Sequence, residues 1–109
     1  MSSLDQSAVK TEYPENAAPD ERLLLELYVA GTMPRSVQAI SDVKQICKKF
    51  FKGRYVLKVF DLTRNPELAS IRQILALPTL IRIGPAPARR LIGDFTDAMR
   101  VVAALQTRT

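Results

Sequence analysis

Hydrophobic and polar positions change along this chain in blocks, and each block has the period of one element. Leu23-Leu24-Leu25-Glu26-Leu27-Tyr28-Val29 is a short apolar run that stops at Ala30-Gly31-Thr32, the pattern of a buried strand ended by a turn. Pro34 and Ser36 then offer helix-start chemistry. Val37, Ile40, Val43, Cys47 and Phe50 recur at helical spacing, with Ile46 widening the stripe, so a helix is expected with these side chains inward. Gly53 closes it, and Tyr55-Val56-Leu57-Lys58-Val59-Phe60, rich in β-formers, supplies a second strand that ends at Asp61. A strand, a crossover helix and a second strand make a βαβ unit, for which right-handed parallel pairing is nearly obligatory.

In the second half, Asn65-Pro66 sets a helix start, and Leu68, Ile71, Ile74 and Leu75 give a shorter amphipathic segment that ends before Leu77-Pro78. Thr79-Leu80-Ile81-Arg82-Ile83 reads as a strand, Gly84-Pro85-Ala86-Pro87 as a turn, and Ala88-Arg89-Arg90-Leu91-Ile92 as the hairpin partner. After Gly93-Asp94, Thr96 is positioned to cap a last helix in which Met99, Val102 and Leu105 face inward. Residues 1–20 are polar, carry Pro14 and Pro19 and show no sustained period, so they read as a flexible lead-in to one domain over residues 21–109. The resulting order is βαβαββα. With a proline directly before the third strand, at a bond of the type that can be cis, it is the order of the α/β thioredoxin-like fold, and a cis Leu77–Pro78 bond is expected.

Composition narrows the possible chemistry. At 109 residues, 47% hydrophobic and 25% charged, the chain has room for one core. No apolar run approaches the roughly 20 residues of a membrane span, and Met1-Ser2-Ser3-Leu4-Asp5-Gln6 lacks the order of a signal peptide, so a cytoplasmic protein without a membrane partner is expected. A net charge of +5 admits a nucleic-acid surface. However, Lys44, Lys48, Lys49, Lys52, Arg54, Lys58, Arg89, Arg90 and Arg100 are dispersed, with few aromatics between them for base stacking. A solvated basic surface explains them better than nucleic acid does.

Redox members of the thioredoxin-like class carry Cys-x-x-Cys after the first strand, whereas the corresponding turn here, Gly31-Thr32-Met33-Pro34-Arg35-Ser36, holds no cysteine. Cys47, alone in the chain, falls on the inward stripe of the following helix, where a thiol packs as a small apolar group. Histidine is absent, which removes the commonest general base, the commonest zinc ligand and the Ser-His and Cys-His dyads. No phosphate-binding glycine pattern occurs. Asp61, Asp94 and Asp97 stand at element ends, where capping accounts for them. The expectation is a protein that works by binding another protein, without cofactor, metal or catalytic residue. The alternatives are a thioredoxin-like oxidoreductase using Cys47 and a nucleic-acid binder.

Five segments resemble the KaiB family in the same order and at similar spacing: Leu25-Glu26-Leu27-Tyr28-Val29-Ala30-Gly31, Phe51-Lys52-Gly53-Arg54-Tyr55-Val56-Leu57-Lys58-Val59, Asn65-Pro66-Glu67-Leu68-Ala69, Ile74-Leu75-Ala76-Leu77-Pro78-Thr79-Leu80 and Arg89-Arg90-Leu91-Ile92-Gly93-Asp94. The resemblance covers about residues 22–105. The resemblance implies a non-catalytic regulator, in circadian timing or stress adaptation, that docks on the ring of a KaiC-type ATPase, competes there with a KaiC-associated histidine kinase, and recruits KaiA. A kinase sensor module of the kind that resembles KaiB is a related reading. The resemblance also implies a homo-oligomer, dimer or tetramer, and a fold-switching second half, of which only the thioredoxin-like monomer binds KaiC.

Position by position, the resemblance implies partner contacts at Ser36, Val56, Lys58, Arg89 and Arg90, with strand addition on the edge of the second strand. It places the determinants of fold state at Pro78, Pro85, Pro87, Ala104 and Gln106. The family's last helix has Gly and Asp where this chain has Ala104 and Gln106. Ala in place of Gly favours a helix by about 1 kcal/mol, and loss of a carboxylate near a helix C-terminus removes an unfavourable dipole contact. The thioredoxin-like state is therefore expected to predominate. The family's run of three prolines is reduced to Pro85-Ala86-Pro87, and its acidic C-terminal tail is absent.

Overall fold

Leu23–Val29, the most apolar strand of the chain, pairs on both sides, which satisfies its backbone groups and places it at the sheet centre. The computed structural model describes residues 9–12 and 22–107. Its elements are β1 (Val9–Glu12), β2 (Leu23–Val29), α1 (Pro34–Phe50), β3 (Tyr55–Asp61), α2 (Glu67–Ile71), β4 (Thr79–Gly84), β5 (Arg89–Ile92) and α3 (Ala98–Gln106). They build one five-stranded sheet in the order β1-β3-β2-β4-β5. β2 and β3 are parallel across the α1 crossover, while β4 on β2, β5 on β4 and β1 on β3 are antiparallel.

Period-two alternation sends Leu23, Leu25, Leu27 and Val29 into the core, where they meet Leu57 and Val59 of β3 and Leu80 of β4. Ala39, Val43, Ile46 and Cys47 of α1 and Val101, Val102 and Leu105 of α3 complete that core. Both long helices thus cover one face of the sheet. The opposite face carries the other half of each alternation and holds the candidate site.

Helix phase differs from the expected stripes at three places. Val37 is exposed, and Ser36 and Ala39 are buried instead, because the Ala30 N–H donates to Ser36 Oγ at 2.9 Å and turns that residue toward β2. In α3, capped by Asp97 rather than Thr96, Met99 is exposed while Val101 is buried. The segment after Pro66 is helical only to Ile71 and buries no side chain. Gln73 has φ +54°, a left-handed residue that ends the helix and leaves Leu75 94% exposed.

The flexible lead-in is corrected over Val9–Glu12, which form a strand on the outer edge of β3. Strand addition needs only backbone groups and an open edge, so a polar segment without long periodicity can make it. The rest of residues 1–20 lies outside the described residues. Leu77–Pro78 is cis, as expected, and Gly84–Pro85 and Ala86–Pro87 are cis as well.

Arg82 is fully buried, in register with Leu25 on the core side of the sheet. Its Nη1 donates to the Leu105 carbonyl at 2.9 Å and to the Thr107 carbonyl, and its Nη2 donates to the Pro87 carbonyl. A cation at the C-terminal end of α3 also meets the negative end of the helix dipole. One side chain thereby ties β4, the proline turn and the last helix together.

Candidate protein-docking surface

On the face away from α1 and α3, strand register assembles one cross-strand row. Lys58 of β3 lies opposite Glu26 of β2, Glu26 opposite Ile81 of β4, and Ile81 opposite Arg90 of β5. Glu26 is the polar centre of this face. Its Oε1 accepts the Tyr28 O–H at 2.5 Å and its Oε2 lies 3.4 Å from Arg72 Nη2. The buried Tyr28 ring stacks on Phe60, centroids 5.0 Å apart and 14° from parallel. Burial, together with the carboxylate it donates to, pushes the Tyr28 phenol above its ordinary range, while the Glu26 charge raises the pKa of the Arg72 guanidinium.

Arg90 extends this network away from the sheet. Its Nη1 donates to the Gln73 carbonyl at 2.9 Å and its Nη2 to the Arg72 carbonyl at 2.5 Å, so it clamps the segment after α2. Away from that clamp, a groove of about 270 Å³ opens between Arg22, Leu24, Glu26, Val56, Lys58 and Ile83. Leu24 and Ile83 are each more than a third exposed. An apolar floor rimmed by separated charges is suited to a protein surface of mixed character.

The structure brings together Val56 and Lys58 in this groove and places Arg90 on the same face, at the far end of the row. It does not bring Arg89 or Ser36 there. Arg89 alternates to the opposite face, in register with Arg82 and half-buried. Ser36 is 2% exposed, with its hydroxyl engaged by the β2–α1 turn. Both therefore stand apart from the groove. Pro78 lines a different groove, Pro85 and Pro87 flank the turn that Arg82 grips, and Ala104 and Gln106 lie in the last turn of α3. Glu26, Tyr28 and Arg72 were not singled out from the pattern. The available signal was a lone carboxylate inside an apolar strand, two residues before a tyrosine and therefore on the same face.

The second groove, about 300 Å³, lies where a redox motif would stand. Arg35, Asp42, Pro78, Asp94, Phe95 and Thr96 are among its walls, which include no thiol. Thr96 bonds hold the Asp94 carboxyl below the usual range. Nearby, Asp61 Oδ1 accepts from the Gly31 N–H at 2.9 Å, the Thr63 N–H at 2.9 Å and the Thr63 hydroxyl at 2.6 Å. Those bonds lower the Asp61 pKa, led by the Thr63 hydroxyl, and hold Gly31 at φ +54°, where a side chain would be strained. Cys47 is fully buried in the core. Among the described residues no group of His, Cys, Asp and Glu could hold a metal ion, and no helix is long and apolar enough to cross a membrane.

A family model described as the KaiB domain matches residues 26–107. Two relatives are described as circadian clock oscillator protein KaiB. One, from Prochlorococcus marinus, is 47% identical over 88 residues, 81% of this chain and 75% of the relative. The other, from Synechococcus elongatus, is 46% identical over 88 residues, 81% of this chain and 86% of the relative. Among solved structures, the N-terminal domain of Synechococcus elongatus SasA superposes with TM-score 0.64 at 28% identity, covering 82% of this chain and 86% of that one. Chloroplastic thioredoxin z superposes with TM-score 0.66 at 24% identity, over 78% and 76% of the two chains, a likeness of fold alone. The fold is thioredoxin-like.

Proposed function

This chain belongs to the KaiB family, and on that premise we propose that it is a non-catalytic, cytoplasmic protein-binding regulator of a KaiC-type ATPase, in circadian timing or stress adaptation. The observation that carries the reading is the row Lys58–Glu26–Ile81–Arg90 with its adjoining groove. It offers separated charges and exposed apolar side chains on a face that neither long helix covers. Val56 and Lys58 supply contacts in the groove, and Arg90 supplies the far end of the row. The likeness to the SasA domain supports a partner face shared with a KaiC-associated histidine kinase, so that the two compete for one ring; KaiA is a further partner of the assembled complex.

Affinity is discounted by the fraction of molecules outside the binding-competent state. Ala104 and Gln106 favour α3 and hence the thioredoxin-like state, with Pro78, Pro85 and Pro87 at the other points where the second half changes direction. A dimer or tetramer is the proposed alternative resting form. The test is a titration of fluorescently labelled chain against a purified KaiC-type ATPase hexamer. Saturable binding is expected, weakened about tenfold or more by Lys58→Glu, the loss of a close charge contact, with an unchanged circular dichroism spectrum. Absence of binding by the unaltered chain overturns the proposal.

A further inference from the structure

The outer edge of β3, the strand that carries Val56 and Lys58, is not open. β1 pairs with it over four residues, Val9 opposite Phe60, Lys10 opposite Val59, Thr11 opposite Lys58 and Glu12 opposite Leu57. β1 lies outside the family match, which begins at residue 26, so the cover comes from a part of the chain that the family domain does not include. Only Val9 of its four residues is apolar. An antiparallel pair of this length is held by main-chain hydrogen bonds, which any extended segment without proline can supply. An unpaired edge is in turn a ready template for another chain.

We propose that Val9–Glu12 is an internal occupant of the strand-addition edge of β3, so that a partner protein adding an extended segment there must first displace it. The inference rests on the reading that β3 belongs to the docking surface, and adds that the chain regulates access to it. The apparent Kd is then the intrinsic Kd divided by the fraction of molecules with an open edge: a β1 paired nine times in ten weakens a partner about tenfold.

The test uses the full-length chain and a full-length Lys10→Pro/Thr11→Pro variant, in which lost N–H donors and fixed backbone angles release β1. The probes are a labelled synthetic peptide of residues 6–15 and a KaiC-type ATPase hexamer. The variant is expected to take up the peptide while the unaltered chain does not, and its residues 55–61 are expected to exchange amide hydrogens faster. It is also expected to bind the hexamer about tenfold more tightly. Should the variant unfold, the unaltered chain suffices, because the amides of residues 9–12 must lose protection when the hexamer binds. Equal peptide uptake by both forms, unchanged exchange in β3, or β1 amides still protected in the complex each overturn the proposal. Concentration-dependent dimerisation through an exchanged β1 does so too, since the occupant would then be a second copy. Peptide uptake by the variant alone, with no binding of the hexamer by either form, upholds the internal occupant and counts instead against the assignment of the partner.

Discussion

Arg82 and Glu26 interrupt apolar strands, and each is held by a different kind of partner. Arg82 donates to carbonyls at the end of α3 and in the proline turn, so its removal leaves buried acceptors unsatisfied. Arg82→Met is expected to lower stability by about 3 kcal/mol in urea unfolding, and Arg82→Lys by less, since it keeps the charge but reaches fewer carbonyls. Glu26 instead acts on the ionisation of its neighbours, adding to burial at Tyr28 and leading at Arg72. The Tyr28 phenol has a folded pKa above its ordinary 10.0, so its contribution is complete below that pH and is lost as pH rises through the folded value. Thermal melts carried from neutral pH to about pH 11 should therefore show alkaline destabilisation that is smaller in Tyr28→Phe. That variant should lose about 1 kcal/mol at neutral pH with its hydrogen bond. Neither side chain stood out in the pattern of the chain, because a polar residue in an apolar run reveals its face but not its partner. Glu26 meets Arg72 across 46 positions and Arg82 meets Leu105 across 23, separations that no local period reports.

The strands of the family domain were legible almost to the residue, because apolar runs bounded by Gly, Pro and Asp leave little choice of boundary. Helices were legible in place but not in phase. Period 3.6 does not choose between Val37 and Ser36, or between Met99 and Val101; contacts with β2 and with the core make that choice. β1 was missed because backbone pairing asks little of its side chains. In the candidate site, Val56, Lys58 and Arg90 were reached through resemblance, whereas the row that unites them depends on β4 inserting between β2 and β5, a matter of topology. The element most open to test is α3. Ala104→Gly is expected to cost about 1 kcal/mol of stability in chemical denaturation, and with it to lower the population of the thioredoxin-like state seen by NMR. An unchanged population would remove Ala104 from the fold-state determinants.

For the molecule as a whole, the sheet has two unlike faces. One is sealed by α1 and α3 over a continuous apolar core; the other carries charges, an open groove and an edge covered by β1. A thioredoxin-like body whose redox turn lacks cysteine and whose one thiol is buried is thus arranged to present a surface. The most direct test of that arrangement is a hydrogen-exchange map of the full chain, free and bound to a KaiC-type ATPase hexamer. Protection on binding is expected at residues 22–28, 55–60 and 89–92, the strands of the row and its groove. Protection confined to α1, α3 or the groove at Pro78, with these strands unchanged, would contradict the assignment of the docking face.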